Sequence, residues 1–595
     1  MGHNFFNDSI KKIYKAIIIR YNIKIMNTRW NILNPDPRLL QQIKSICSCH
    51  PVTAAILATR LRSADAAGPF LSPSFNHIRS PFSIKDINIA VDRIIKAILQ
   101  HQKVLIFGDY DVDGVTAVTI LFEFLQYAGT TVEYYIPHRV NEGYGLRQHH
   151  INNYARPKQF NLIITVDCGI GSHDAIQKAN MENIDVIVTD HHEVESLPNA
   201  YAVVNPKRAD CPSGYGILAG VGVVYCLIIC LRKALRDINF WKDKEEPNLR
   251  NYCDLVALGT IADIVPQVNE NRIFSKIGMD VMNISPRPGI VELARISGIH
   301  NRKIDSSDMI YKLIPRLNAA GRLKRASIAV ELLACKDKKT AKKLASELDD
   351  INQSRRILEQ YILKDIHAII AKNPHLLNQK SIILSKPHWH EGVIGIVASR
   401  LVNQYYKPAI LISIDRGVGR GSARGIPGVN LHSILTSCAH YLDSFGGHAG
   451  AAGLLIQSNN LDNFKQSFES HLKSQLIPEL LVPTLTIDHE ITLNEISEQL
   501  LDELSWLAPF GPRNVEPMFV AKNVKVRYES LISNRHRRMA LCQPNNKSRV
   551  FSAIHFNVDP GQPLAKEMKQ VAFKLQWNHW NGKKNIQMLI ENYDL

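Results

Sequence analysis

Carboxylates and imidazoles gather at the ends of three apolar runs. Val104-Leu105-Ile106-Phe107 leads into Gly108-Asp109-Tyr110-Asp111-Val112-Asp113-Gly114. Leu162-Ile163-Ile164-Thr165-Val166 leads into Asp167-Cys168-Gly169, and Val186-Ile187-Val188-Thr189 into Asp190-His191-His192. Ligands of open α/β sheets bind at the carboxyl ends of parallel strands. Acids this close repel one another unless a cation neutralises them. Oxygen donors with a little histidine suit Mn²⁺ or Mg²⁺ better than structural zinc. The three run-ends therefore read as a divalent-metal site.

Asp109, Asp111 and Asp113 with Gly114 match the start of an EF-hand loop, but Ile120 stands where that loop needs a bidentate glutamate. A solvated acidic turn explains one run-end and not three. Extended spacing would set Asp111 and Asp113 on one side of a loop. Neighbouring side chains on extended backbone point opposite ways, so one histidine of His191-His192 can bind metal while the other faces a substrate. Asp263 is the sole carboxylate in the apolar segment Leu258–Pro266, and a buried carboxylate needs a partner.

These residues must be positioned by strands and helices. Residues 85–265 alternate strand-like runs with helical stretches such as Val115–Tyr127 and Ala175–Asn183, the pattern of βαβ units around a parallel sheet. Asp113-Gly114 is expected to be the strand-to-helix turn. Residues 338–373 place Leu344, Leu348, Ile351, Leu358, Ile362 and Ile366 near helical spacing. They predict one connector helix of roughly 50 Å, the alternative being a core helix that breaks. An α/β pattern resumes over 381–475, with strands at Ser381–Ser385 and Ala409–Ile414 and a helix at Val393–Tyr405. Glycine-rich loops are expected at Gly417–Gly428 and Gly446–Gly453. The last stretch, short β-rich runs between Pro, Asn and Gly, suggests an OB-like β-barrel.

The chain has 595 residues, too many for one core and enough for about three to four domains. Hydrophobic content of 45% and charged content of 21% are those of a globular protein, not a disordered or fibrous one. A net charge of +16 favours nucleic acid as partner. The ten cysteines include no CxxC pair, which argues for reduced thiols and against a zinc ribbon. Ile217–Leu231 is short for a membrane span and reads as a buried helix. Residues 1–29 lack the marks of a signal peptide. They are read as a poorly ordered extension, or as a mis-assigned start upstream of Met26.

The motifs together resemble those of the DHH phosphoesterase superfamily, and within it the RecJ family of bacterial single-strand-specific 5′→3′ DNA exonucleases. The strings Asp109–Gly114, Asp167-Cys168-Gly169, Asp190-His191-His192 and Leu258–Asp263 carry that resemblance. Pro315–Arg322 is similar to a further family signature. His388–Gly395, Gly421-Ser422-Ala423-Arg424 and Gly446–Gly453 resemble the DHHA1 domain. The resemblance implies a DHH parallel-sheet domain (30–337), the connector helix (338–375), a smaller α/β DHHA1 domain (376–478) and an OB domain (479–595). It implies two Mn²⁺ or Mg²⁺ ions on Asp111, Asp113, Asp167, His191 and Asp263, with Asp109 as a ligand or the orienter of one. His192 would contact the scissile phosphate. Arg139, Arg316, Asn318, Arg322, Ser422, Arg424 and His448 would hold other phosphates of a single DNA strand. The OB region would add strand affinity through aromatics and cations among Trp506, Phe510, Phe519, Tyr528, Trp577, Trp580, Arg535, Arg537, Arg538, Lys583 and Lys584. By resemblance the protein is a cytoplasmic, nucleoid-associated bacterial monomer without membrane contact, with single-strand binding protein and a RecQ-like helicase as partners in recombination and repair. Two other functions carry weight. Small-substrate DHH phosphodiesterases are shorter and lack the OB region, and an inactive DHH scaffold should have lost metal ligands, which are all present.

Overall fold

The structure, a computed structural model, describes residues 28–533, 535–544, 546–558, 561, 566–580 and 583–594. The expected extension falls almost wholly outside them. Two compact units emerge, one of residues 69–356 with 508–515 and one of 28–68, 357–507 and 516–595.

The first unit is built on five parallel strands in the order Val132–Tyr135, Val104–Gly108, Leu162–Val166, Asp185–Thr189, Ala202–Val204. Every residue of Val104–Gly108 and Leu162–Val166 is buried, which is why they read as continuous apolar runs. The chain steps outward from Val104–Gly108 to Val132–Tyr135, then returns to the other side. The strand order therefore reverses between Val104–Gly108 and Leu162–Val166, the place where such sheets leave a crevice. Expected Val115–Tyr127 is the helix Val112–Tyr127, and expected Ala175–Asn183 is His173–Met181. Ile217–Leu231 falls largely within a core helix, Gly220–Asp237. No described helix is long and apolar enough to cross a membrane.

Asp113-Gly114 is not the strand-to-helix turn. Asp111 is the N-cap, and both residues lie in the helix's first turn. Gly114 is required by proximity: a Cβ there would meet the Asp109 carbonyl oxygen at 2.6 Å. A similar constraint joins Cys253–Ala262 to Asn269–Ile284, where a Cβ on Gly278 would come within 2.0 Å of the Cys253 carbonyl oxygen. The triad Asp254–Arg287–Glu123 ties the same region together, with Arg287 at 2.8 Å from each acid.

The connector is a single unbroken helix, Lys338–Lys372, and the division between the units falls inside it. In the second unit, Ile382–Pro387, Ala409–Asp415, Val418–Arg424, Ala451–Gln457 and Ser444–His448 form a mixed sheet, in that order across it. The glycine-rich segments expected as loops are largely its strands. Gly419 and Gly421 sit where a Cβ would strike Ile412, Ile456 or Leu454, so the missing side chains make room for those of adjacent strands. The OB expectation is met by a closed barrel of Phe519–Ile532, His536–Gln543, Asn546–His555, Lys583–Asp594 and Glu567–Trp580, the last pairing back to the first. The expected boundary at residue 30 is displaced. Arg29–Ile32 pairs in parallel with Thr484–Ile487, and Arg60 pairs with Asp488 at 2.9 Å, so residues 28–68 belong with the C-terminal part. All ten cysteines are free thiols.

Gly278→Ala should cost about 1–3 kcal/mol through overpacking and displace the helix that ends at Asp263. Urea unfolding checks this; a wild-type midpoint would show that the two helices can separate freely.

Candidate metal centre

Three strand ends and three helix ends converge on the crevice of the parallel sheet. Asp111 caps the helix Val112–Tyr127, its carboxylate accepting from the Asp113 N–H at 2.9 Å and the Gly114 N–H at 3.2 Å. Asp113, 1% exposed, accepts from the Gly220 and Val221 N–H groups at 2.6 and 2.9 Å. A carboxylate on one helix thus satisfies the start of another. Asp167 ends its strand at φ 59°, a left-handed conformation that costs a non-glycine residue of order 1–3 kcal/mol. Gly220 lets the helix approach it, since a Cβ would lie 2.6 Å from Asp167 Oδ1. Asp263 is the C-cap of Cys253–Ala262, at the end of a helix where negative charge is disfavoured.

Two groups of donors share no residue, Asp113 with His191 and Asp263, and Asp109 with Asp111 and Asp167; a third, Asp167 with His191 and His192, overlaps both, and the donor atoms of each group lie within 4.8 Å of one another. Asp167 stands at the seam: its Oδ1 is 3.1 Å from His191 Nε2, which is 3.8 Å from Asp113 and 3.6 Å from Asp263. Asp109 Oδ1, Asp167 Oδ1 and His191 Nε2 are buried without a hydrogen-bond partner. Buried polar atoms are seldom left so, and cations on both groups would satisfy all three.

Electrostatics point the same way. Burial first, then the Asp111 charge, pushes Asp113 up to about 7. Burial, then Asp113 and Asp111, pushes Asp263 up to about 9. Burial and neighbouring acids hold Asp109 and Asp167 well above the carboxylate range. Burial, then the His192 charge, lowers His191 to about 3, leaving the neutral imidazole that binds metals.

His192 is the opposite case. Burial would lower its pKa, but hydrogen bonding and charge from Asp190, then Asp263 and Asp109, outweigh it and raise the group to about 9. Asp190, fully buried, takes His192 Nδ1 at 2.7 Å and the N–H groups of Ile170, His191 and His192. Asp190 thereby biases His192 toward its protonated form, through the ring Nδ1. The Tyr144 hydroxyl sits beside it, 3.2 Å from Nδ1 and 3.1 Å from the Asp167 carbonyl oxygen, to which it donates.

The phosphate-holding candidates divide. Arg139 stacks over the Tyr110 ring at 4.8 Å and acts on Asp109; Arg322 acts on Tyr110. Asn318 Oδ1 accepts the Val112 N–H at 3.1 Å, so this side chain braces the acidic loop. Arg316 is turned to Asp349 at 2.7 Å and to the Lys312 carbonyl. In the other unit, Arg424 donates to Ser422 Oγ at 3.1 Å. Both lie against the start of the helix Glu391–Tyr405, where a Cβ on Gly395 would meet them at 2.8–3.0 Å. His448 shares the sheet row of Arg424 through Ala451, two residues from that of Ser422. Among the barrel candidates Phe519 is core, whereas Tyr528 and Trp506 are exposed; the side chains of Trp580 and Lys583 lie outside the described residues.

One more trio, Glu142, His149 and His150, brings donors together. His150 Nδ1 accepts the Arg147 N–H, which leaves the ring proton on Nε2, 3.4 Å from Glu142. That is a histidine facing a carboxylate, its Nε2 buried and without a hydrogen bond.

Residues 103–260 match the DHH family, N-terminal domain, residues 378–474 the DHHA1 domain, and residues 487–592 the RecJ OB domain. The single-stranded-DNA-specific exonuclease RecJ of Bacillus subtilis is 32% identical over 95% of this chain and 70% of its own length. That of Haemophilus influenzae is 33% identical over 88% and 92%. The chain belongs to the RecJ family. The crystal structure of RecJ from Thermus thermophilus in complex with Mn²⁺ matches 96% of this chain and 80% of that one, with a TM-score of 0.80 at 27% identity.

Sequence reasoning missed the roles of Asp190, Tyr144 and Gly220. Asp190 stands inside the string Asp190-His191-His192 already singled out, and Tyr144 lies five residues past Arg139; nothing in the sequence marks Gly220, whose role depends on helix approach. Asp190→Asn should bring the His192 pKa down from about 9 in the metal-free protein. A folded pKa above the ordinary 6.5 means the stability from this pair is full below about 6.5 and lost as pH rises through 9. Histidine NMR titration reads the shift, and an unmoved His192 would contradict the assignment.

Proposed function

We propose that the chain is a single-strand-specific 5′→3′ DNA exonuclease that hydrolyses phosphodiester bonds with two divalent cations, Mn²⁺ or Mg²⁺, and releases 5′-mononucleotides. The observation that carries this reading is the pair of donor groups joined at Asp167. Asp109, Asp111 and Asp167 would hold one ion, and Asp113, His191 and Asp263 the other, with Asp167 between them. Bound there, the ions supply an activated water and stabilise charge on the phosphate.

The chain's own residues do the rest. His192, kept protonated by Asp190, donates to an oxygen of the scissile phosphate, where negative charge grows during displacement. Arg139 and Arg322, beside Tyr110, pair with strand phosphates, as arginine forks suit. Asn318 braces that loop through the Val112 N–H, while Arg316 is engaged by Asp349 and the Lys312 carbonyl. Ser422, Arg424 and His448 form a separate anion-binding group at a helix start, which we assign to a phosphate of the strand. The barrel adds single-strand affinity through exposed aromatics and cations. A cytoplasmic, nucleoid-associated monomer, working with single-strand binding protein and a RecQ-like helicase in recombination and repair, fits this chemistry.

With Mn²⁺, the protein should degrade a 5′-phosphorylated single strand from its 5′ end and leave a blunt duplex intact. Preference for a dinucleotide would favour a small-substrate phosphodiesterase; inertness on all three would favour a scaffold. Asp111→Ala should abolish cleavage and leave strand binding largely intact in a filter assay. Nuclease activity retained in that variant would refute the metal assignment.

A further inference from the structure

An open cavity of about 550 Å³ shares a wall with the metal centre, and no role assigned above uses it. Tyr144 and Gly169 belong to that wall. The Tyr144 hydroxyl reaches the Asp167 carbonyl and His192, and Gly169 follows Asp167 by two residues, at most about 7 Å of backbone. The volume is that of a small-ligand pocket, about 300–1,000 Å³.

The lining is built for an anion. One side is the start of the nine-residue helix His173–Met181, whose N-cap Ser172 makes no side-chain capping bond. First-turn N–H groups lack partners within a helix and favour negative charge. Ser172 is only 8% exposed as a residue and lines the cavity, where its hydroxyl makes no capping bond and is open to an incoming acceptor. Arg147 lines another side, exposed and in no ion pair with a described residue. Gly143, at φ 79°, makes room for it, since a Cβ there would lie 2.8 Å from Arg147 Nη2. His173 is turned to Ser196 at 3.1 Å, and Asp174 is the one acid of the lining.

We propose that this cavity binds the phosphodiester next to the scissile one, with Arg147 pairing with its charge and Ser172 and the helix N–H groups donating to its oxygens. The inference rests on the exonuclease reading and deepens it: the cavity holds the strand in register, one nucleotide step from the metals.

The test compares full-length wild type with Arg147→Ala, Arg147→Lys and Ser172→Ala. Binding of a fluorescent 5′-phosphorylated single strand is measured by anisotropy in EDTA across a salt series. Arg147→Ala should weaken binding about tenfold or more and make the plot of log affinity against log salt shallower by about 0.7, the loss of one single-strand phosphate contact. Arg147→Lys should recover the slope, and Ser172→Ala should weaken binding with the slope unchanged. With Mn²⁺, Arg147→Ala should raise KM and leave kcat nearly unaltered. Wild-type affinity and slope in Arg147→Ala, an exposed position that does not threaten folding, would overturn the inference. Failure of the wild type to degrade the strand would sink the exonuclease reading by itself, while the salt slopes still judge the cavity.

Discussion

Five aspartates share one crevice, and their mutual repulsion is the constraint around which the first unit is arranged. Asp109, Asp113 and Asp167 are each at most 6% exposed, and water cannot screen them there. The protein meets part of the cost itself. Asp113 takes two N–H groups from the start of Gly220–Asp237, Asp111 takes two from its own helix, and Asp190 biases His192 toward its protonated form. The remainder, seen as unpartnered atoms on Asp109, Asp167 and His191, is a demand for cations. A site that is unfavourable empty and satisfied when filled couples metal binding to the stability of the sheet's edge.

The surrounding fold follows from that demand. Strand order reverses where Asp109 and Asp167 emerge, so two acids from adjacent strands face one crevice. Gly114, Gly220 and Gly259 remove side chains that would hold the helices off: a Cβ on Gly259 would lie 2.9 Å from Asp113 Oδ1. Asn318 and Gly321 bring a further helix against the Asp109–Asp113 loop, with a Cβ on Gly321 only 2.2 Å from the Tyr110 carbonyl oxygen. The acids stay close because the backbone around them cannot relax apart.

What the sequence reveals and conceals has a physical pattern. Parallel strands buried on both faces announce themselves as apolar runs, so the three acid-tipped ends were legible directly. The connector helix was legible from its spacing, and the barrel from its turn-rich β composition. Asp263 was weak on its own and rested on resemblance, since its role depends on the helix pair closed at Gly278. The glycine-rich strands look like loops in the sequence because glycine usually marks turns; here it leaves space for Leu454 and Ile412. The pairing of Arg29–Ile32 with Thr484–Ile487 joins segments more than 450 residues apart, and no local pattern encodes it. Asp190 is visible as part of a motif, but its work, three backbone N–H groups accepted and one bond to the His192 ring, appears only in three dimensions.

The central claim is that Asp167 joins two cation sites. Anomalous scattering from crystals of the protein grown with Mn²⁺ tests it most directly. Two peaks about 3.5–4 Å apart, both in contact with Asp167, are the predicted result. A single peak, or two that leave Asp167 without a metal contact, would contradict it.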